Sequence, residues 1–424
     1  MPGGLSPPLG ATPFGPLRSL PNGEGGAPSE VVRGGEVPLL PSLARVIALA
    51  KEMAPGVVTA KADVNIGRSS YAGARLSPLN NPYLEVFVDK GPPRTTKDVA
   101  VQANLWLPVE LSGQRGRRID EADALVAWKN QSVDAARAAA VGEAVRLYGD
   151  VLVNAERVRS FEGVLVSAKA EAELYEARLK AGDATQQDAK LAVVEVVRNS
   201  VALAESRADY ARSSAELARA LGQEGYGAPD GSTIDPPPHP PMDPGAWVER
   251  SIKRSPYLLA YEKEATYYAR AKERQAIESH APVNVIVSAG RGDLGEARFG
   301  GGLSWTFPVL RRNQAEQARA EAERGRALAE RDVRRRSIVA LLRGLYDERL
   351  TVRGAVDEVA RTGEPAAQEA LDAAVATQRA GKGEFLRVLT ARRDLALLRS
   401  RRLELTRREW SIVGDIVALT GELP

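Results

Sequence analysis

The chain has 424 residues, with 58 lysines and arginines against 55 aspartates and glutamates. That near balance gives no electrostatic basis for a nucleic-acid partner. There is no cysteine, which excludes disulfides, thiolate nucleophiles, cysteine metal sites and acylation at a cysteine.

Residues 1–35 are rich in proline and glycine and read as a disordered segment. They show no basic region followed by an apolar one, so no signal peptide is visible. No run of about 18 apolar residues offers a transmembrane helix. From residue 36 the chain reads as two repeats, 36–222 and 245–421, joined by a proline-rich linker over 223–244.

The first repeat opens with a helix over 43–73 and an irregular turn over 76–81. A strand follows over 83–88, a turn over 90–94 and a second strand over 99–107. A very long helix is predicted from Gln114 to Ala181. Gly182 breaks it, and a returning helix reaches Leu221. The linker contains Pro236–Pro238 and Pro240–Pro241. The second repeat follows the same plan: a helix over 245–279, strands over 283–289 and 298–307, a long helix over 313–380, a break at Gly381–Gly383 and a last helix to Thr420.

Matched positions argue for duplication. Pro55 and Pro256 differ by 256 − 55 = 201. Pro82 and Pro282, like Pro108 and Pro308, differ by 200. Tyr148 and Tyr346 differ by 198, and Gly182 and Gly381, like Gly222 and Gly421, by 199. Six pairs in one order, drifting by three residues, are hard to obtain otherwise. The descending helix would span roughly 105 Å. The two shorter return legs together match it, so each repeat can close a long hairpin.

The strands alternate. Val99, Val101, Leu105 and Leu107 face away from Gln102 and Asn104; Val283 and Val285 face away from Asn284; Phe299, Trp305 and Phe307 face away from Arg298 and Ser304. Apolar-out, polar-in strands of this length suit a transmembrane barrel, with Trp106 and Trp305 placed for an interfacial belt. The same alternation fits a soluble sheet with one wet face. Four strands cannot close a barrel of useful width, so the barrel reading requires several chains.

No enzyme motif is found: there is no phosphate loop of the Gly-x-x-x-x-Gly-Lys-Ser/Thr type and no Ser/His/Asp arrangement. No cofactor is implied. His239 and His280 have no partners at metal-ligand spacing, and Met53 and Met242 are isolated. Gly300–Gly302 lies in a strand pattern, where small residues ease packing. The basic stretches Arg334–Arg336 and Arg401–Arg402 read as solvated helix faces.

The order of helix, hairpin, long helix, glycine break and helix resembles the TolC-like outer-membrane efflux proteins. Asn81-Pro82 before a strand is similar to the family's approach to the first hairpin. Phe307-Pro308-Val309-Leu310-Arg311-Arg312-Asn313-Gln314 is similar to its strand-to-helix exit, with Leu107-Pro108 through Arg117 as counterpart. Arg178-Leu179-Lys180-Ala181-Gly182, with Asp188, resembles the first periplasmic tip. Glu364-Pro365-Ala366, Arg379-Ala380-Gly381 and Phe385–Leu389 resemble the second. The resemblance covers residues 36–421.

It implies a mainly helical fold with two β-hairpins, assembled as a homotrimer with a shared barrel in outer-membrane lipid. It implies an α-barrel crossing the periplasm of a Gram-negative cell, and tips docking a periplasmic adaptor tied to an inner-membrane pump. The expected docking residues are Arg178, Leu179, Gly182, Asp188, Arg379, Gly381, Gly383 and Leu386. The expected aperture residues are Asp188, Arg387 and Thr390, with Asp188 pairing Arg379 or Arg387. Where some members carry an acidic aperture ring, this chain has Arg387 and Thr390. The Pro365 pattern and the Arg-Asn-Gln exit lean to the heavy-metal, CzcC-like branch. The alternative is a soluble coiled-coil scaffold, which the absence of a visible signal peptide favours and the paired hairpins disfavour.

Overall fold

Proline sets the first breaks in the helical pattern. A computed structural model describes residues 39–90, 99–226, 233–238, 243–292, 294–380 and 385–423, which fall within one unit, Pro38–Pro424. In place of one helix over 43–73 there are two, α1 (Leu43–Met53) and α2 (Pro55–Ala74). The ring of Pro55 holds Ala54 at φ −56°, ψ 136°, outside the helical region, and Pro55 then starts the next helix. The second expected helix is broken identically. Ser255, at ψ 117°, separates α5 (Pro244–Arg254) from α6 (Pro256–Glu278).

The strands are β1 (Tyr83–Asp89), β2 (Ala100–Val109), β3 (Val283–Arg291) and β4 (Ala297–Ser304). The two hairpins lie side by side as one antiparallel sheet of order β1-β2-β3-β4. Its register runs through Tyr83↔Trp106, Leu107↔Val285 and Asn284↔Ser304. Both outer strands, β1 and β4, have an edge that no strand among the described residues pairs.

Two strand boundaries differ from expectation. Val99 lies just before β2, and β4 ends at Ser304, so Trp305 and Phe307 lie beyond it. The ladder runs out because its last pair is Asn284↔Ser304, with Pro282, which has no N–H, close beyond on the partner strand. Trp305 and Phe307 instead contact each other, with ring centroids 4.6 Å apart.

Helix α3 (Gln114–Ala181) has the expected bounds. Its 68 residues span about 100 Å at 1.5 Å per residue. Glycines with positive φ stand at both ends, Gly113 at 78° and Gly182 at 83°. At the far end Gly182 N–H donates to Leu179 O at 3.1 Å and Asp183 N–H to Arg178 O at 2.8 Å, the paired bonds of a Schellman stop. Helix α4 (Gln186–Ala220) returns along α3.

The expected helix over 313–380 is α7 (Gln314–Glu358), a π turn (Val359–Gly363) and α8 (Glu364–Arg379). Pro365 lacks an N–H and its ring cannot fit against an unbroken preceding turn, so the helix widens there. Helix α9 (Phe385–Thr420) closes the chain.

In the lower tier the helices lie in the order α4, α3, α9, α8; in the upper tier, α2, α3, α6, α7. Helix α3 is thus covered from both repeats. One core joins Val145, Val151, Leu217, Trp410 and Val417; a second joins Trp247, Ile338, Leu342, Tyr346 and Ile416. Helices α3 and α9 approach closely through Gly142, Gly149 and Gly414. A Cβ on Gly142 would lie 2.5 Å from Gly414 O.

The linker's described residues are pinned to helices. Ser214 Oγ donates to Tyr226 O at 2.8 Å, and Trp410 Nε1 to Ile234 O at 2.8 Å. Arg349 donates to Pro237 O. Residues 1–35, His239, Pro240–Pro241, Met242, most of the 90–94 turn, and Gly381 and Gly383 lie outside the described residues.

Candidate functional site: the strand tier and the helical tip

Residues paired across an antiparallel ladder point to the same face. The register therefore sorts the sheet's side chains. One face carries Leu84, Val86 and Val88 on β1, then Val101, Ala103, Leu105 and Leu107 on β2. It continues with Val285, Val287 and Ala289 on β3 and Phe299, Gly301 and Leu303 on β4. Arg291, paired with Val101 at the end of β3, is the one charged side chain on it among the described strand residues. The face is also bare: Phe299 is 85% and Leu303 76% exposed.

The other face carries Glu85, Gln102, Asn104, Asn284, Ser288 and Arg298. Gln102 Nε2 donates to Asn104 Oδ1 at 2.9 Å. Trp106, expected in a membrane strand near its interfacial end, shares this polar face. Its ring stacks on Tyr83 at 5.3 Å and its Nε1 donates to Glu85 at 3.1 Å. Of the residues expected to face lipid, Val101, Leu105, Val283, Val285 and Phe299 share the apolar parity. Gly290 permits the close approach of β3 to β2, since a Cβ there would meet Val101 O at 2.5 Å.

A charged layer joins the sheet to the helices. Arg118 and Glu110 pair at 2.8 Å, each 7% exposed. Arg274 pairs with Glu278 at 2.6 Å and also with Glu121. Gln114 Nε2 donates to His280 O at 3.0 Å, so His280 enters through its backbone carbonyl. Asn313 Nδ2 donates likewise to Gln275 O at 3.1 Å. Among the described residues, no group of three or more His, Cys, Asp or Glu side chains is placed to hold a metal ion. No described helix is long and apolar enough to cross a membrane.

At the other end of α3, the expected tip residues come together in part. Arg178 and Leu179 close α3 at Gly182, and Arg379 closes α8. Leu386, Arg387 and Thr390 sit at the start of α9. With Ala367, Ala370, Ala374 and Asp394 they line a groove of about 510 Å3 between α8 and α9.

The expected pairing of Asp188 with Arg379 or Arg387 is not formed. Asp188 serves the start of its own helix instead. Thr185 Oγ1 donates to its carboxylate at 2.7 Å, and Asp188 N–H donates back to Thr185 Oγ1 at 3.1 Å. This is a capping box, with an acid in the first turn where the helix dipole favours it.

Other residues bridge the tip. Arg392 of α9 pairs with Glu171 of α3, and Arg393 with Glu195 of α4. Gln378 of α8 donates to the Tyr175 hydroxyl. Tyr175 packs on Phe385 at 4.4 Å, in a cluster with Ala189, Ala192 and Leu389. Burial pushes the Glu171 carboxyl above the usual carboxylate range, against the pull of Arg392. None of these partners is marked by local spacing, because each bond crosses between the two repeats.

The bare apolar sheet, the polar face behind it and a helical tier about 100 Å long define a class: a channel protein of the outer-membrane type. Comparison with known proteins agrees. Residues 54–223 match the family model described as outer membrane efflux protein. The chain is 23% identical over 351 residues to the cobalt-zinc-cadmium resistance protein CzcC of Cupriavidus metallidurans, covering 82% of each. Its fold matches the crystal structure of CusC with a TM-score of 0.67 at 15% identity, over 89% of this chain and 90% of that one. The outer-membrane channel OprN matches with a TM-score of 0.67 at 18% identity, over 90% of both. By these likenesses the chain is similar to the outer-membrane efflux proteins, with residues 54–223 carrying the family match.

Proposed function

We propose that this protein is the outer-membrane component of a tripartite efflux system, a passive export duct in a Gram-negative cell. The carrying observation is the sheet. Its apolar face is bare and, apart from Arg291 at the hairpin end of β3, free of charge, and its two edges are open among the described strands. Lipid cannot satisfy an open edge, so the sheet becomes membrane-competent only when copies join edge to edge. Three copies would supply 3 × 4 = 12 strands.

Below the membrane, the helices of a homotrimer would line a water-filled tunnel through the periplasm. The tip formed by Arg178, Leu179, Gly182, Arg379 and Leu386, with Gly381 and Gly383, would dock the adaptor. The adaptor in turn connects to an inner-membrane pump, which supplies the energy. Arg387 and Thr390 would give the aperture a basic and polar lining. The likeness to CzcC favours heavy-metal cargo. The two halves, 36–222 and 245–421, are read as copies of one ancestral unit.

Fractionation of native cells, followed by the mass of the detergent-extracted protein, tests this reading. A trimer from the outer membrane is expected. A soluble monomer or dimer would overturn it in favour of a coiled-coil scaffold.

A further inference from the structure

Between the core around Val151 and Trp410 and the tip cluster around Tyr175, helices α3, α8 and α9 line a cavity of about 590 Å3. Ser160, on its α3 wall, stands about 30 Å along the helix from Gly182. The π turn at Val359–Gly363 ends at the cavity's margin, where α8 starts with Glu364. Phe161, Val164, Leu371 and Leu395 give it apolar walls. A volume of this size suits a small molecule.

The charge of the cavity is one-sided. Arg157, Arg159, Arg392, Arg399 and Arg402 line it, against Glu156 and Glu364. Three of the arginines have close carboxylates. Arg159 pairs with Glu156 at 3.3 Å, Arg402 with Glu364 at 2.9 Å, and Arg392 with Glu171. The other two do not. Arg157 reaches Asp209 only at 4.0 Å, and its Nε is buried with no hydrogen-bond partner. Arg399 meets a neutral group, Gln368 Oε1 at 3.1 Å, and no carboxylate among the described residues. A buried donor left unpaired destabilises the fold, and uncompensated cations around one cavity repel each other. An anion between them would offset both effects.

From the free donors of Arg157 and Arg399 and the excess of arginine around them, we infer that this cavity binds a small multivalent oxyanion, a carboxylate or a phosphate. Arg157 approaches from α3 and Arg399 from α9, so the anion bridges the two repeats. Guanidinium forks match the oxygens of either group. The hydroxyls of Ser160 and Ser400, which also line the cavity, add donors. All of these residues lie in one chain, so the inference stands apart from the duct reading, and its failure would leave that reading intact.

The test is calorimetric titration of the detergent-extracted full chain with citrate and, separately, with inorganic phosphate. Sodium chloride holds the ionic strength constant, which screens diffuse attraction equally in every run. Saturable binding of one anion per chain is expected. Arg157→Gln with Arg399→Gln should weaken it about tenfold or more. Arg335→Gln with Arg336→Gln removes the same charge from an exposed stretch of α7 and should leave it unchanged. Amide hydrogen exchange of the wild type, with and without the anion, needs no variant to fold. Protection is expected over 157–167 and 395–403.

Binding of citrate alone would assign a carboxylate ligand, and binding of phosphate alone a phosphate; either supports the site. No saturable binding of either probe by the wild type would overturn it. Undiminished binding by the Arg157, Arg399 pair would overturn it too, because the anion would then sit elsewhere. Equal weakening in the α7 pair would reduce the effect to overall charge. Protection confined to other segments would likewise count against the cavity.

Discussion

Gly149 of α3 lies directly beneath Trp410 of α9: a Cβ on Gly149 would fall 2.2 Å from the indole Cγ. Trp410 is 2% exposed and meets Tyr148 edge-on at 5.8 Å. The ring thus occupies space that only glycine leaves free. Gly149→Ala is expected to cost about 1–3 kcal/mol through overpacking. Gly163, on the same helix with nothing within 4 Å, is the control. Gly163→Ala should gain about 0.5–1 kcal/mol from helix propensity. Urea unfolding followed by tryptophan fluorescence compares the two.

Thr185 and Asp188 cap α4. Thr185→Ala is expected to remove about 1 kcal/mol of local helix stability. Faster amide hydrogen exchange confined to the first turn of α4 would record it. Unchanged exchange there would mean the cap contributes nothing.

The bridges Glu171–Arg392 and Glu195–Arg393 tie α9 to both helices of the first hairpin. If they hold the tip of the duct, Arg392→Ala with Arg393→Ala should raise single-channel conductance in a planar bilayer. Asp188→Asn, which touches only the cap, should leave conductance at the wild-type value. The reverse pattern would return the aperture to Asp188.

Arg349 and Glu409 face each other at 3.7 Å with side chains 2% and 3% exposed. Removing Arg349 leaves the buried Glu409 carboxylate with Arg353 at 3.5 Å, a half-exposed side chain, as its cationic partner. Arg349→Ala is expected to cost about 3–5 kcal/mol, lowering the urea midpoint. The double variant Arg349→Met, Glu409→Leu should lie well above the single one, since it buries no charge.

Glu409 also sets a pH dependence. Burial pushes its carboxyl above the usual range, with Asp235 in the same sense and Arg353 and Arg349 opposing. The folded state therefore binds this proton more readily than the unfolded chain. Glu409's contribution to stability grows as pH falls through the raised value toward the ordinary carboxylate range, and is lost as pH rises through it. The melting temperature of the wild type minus that of Glu409→Gln should increase on acidification across that window. A constant difference would show that Glu409 titrates normally.

Much of the fold is legible in the residues. Gly113 and Gly182 bound α3 because the backbone takes a positive φ at each. Pro55 and Pro256 are visible as repeat markers, yet their local consequence, the breaks at Ala54 and Ser255, follows from the missing N–H and the pre-proline restriction. The π turn before Pro365 has the same origin. Strand parity is readable for β2 and β3 but overextends β4, because alternation continues into Trp305 and Phe307 where no partner strand remains.

The tip is legible only as a place. Thr185-x-x-Asp188 is a local capping pattern, open to inspection in the sequence. Glu171 with Arg392 and Tyr175 with Gln378 are set by how α8 and α9 lie against α3, which no spacing encodes.

The covering of α3 by α9 has a consequence for synthesis. When the first repeat leaves the ribosome, the apolar stretch around Val145 and Val151 has α1 and α4 beside it, but the surface meant for Trp410, Val413 and Val417 is bare. The residues that cover it belong to the final helix. The nascent chain therefore carries a sticky, unfinished surface through most of translation. Any factor that shields nascent chains would find its longest-lived target on α3.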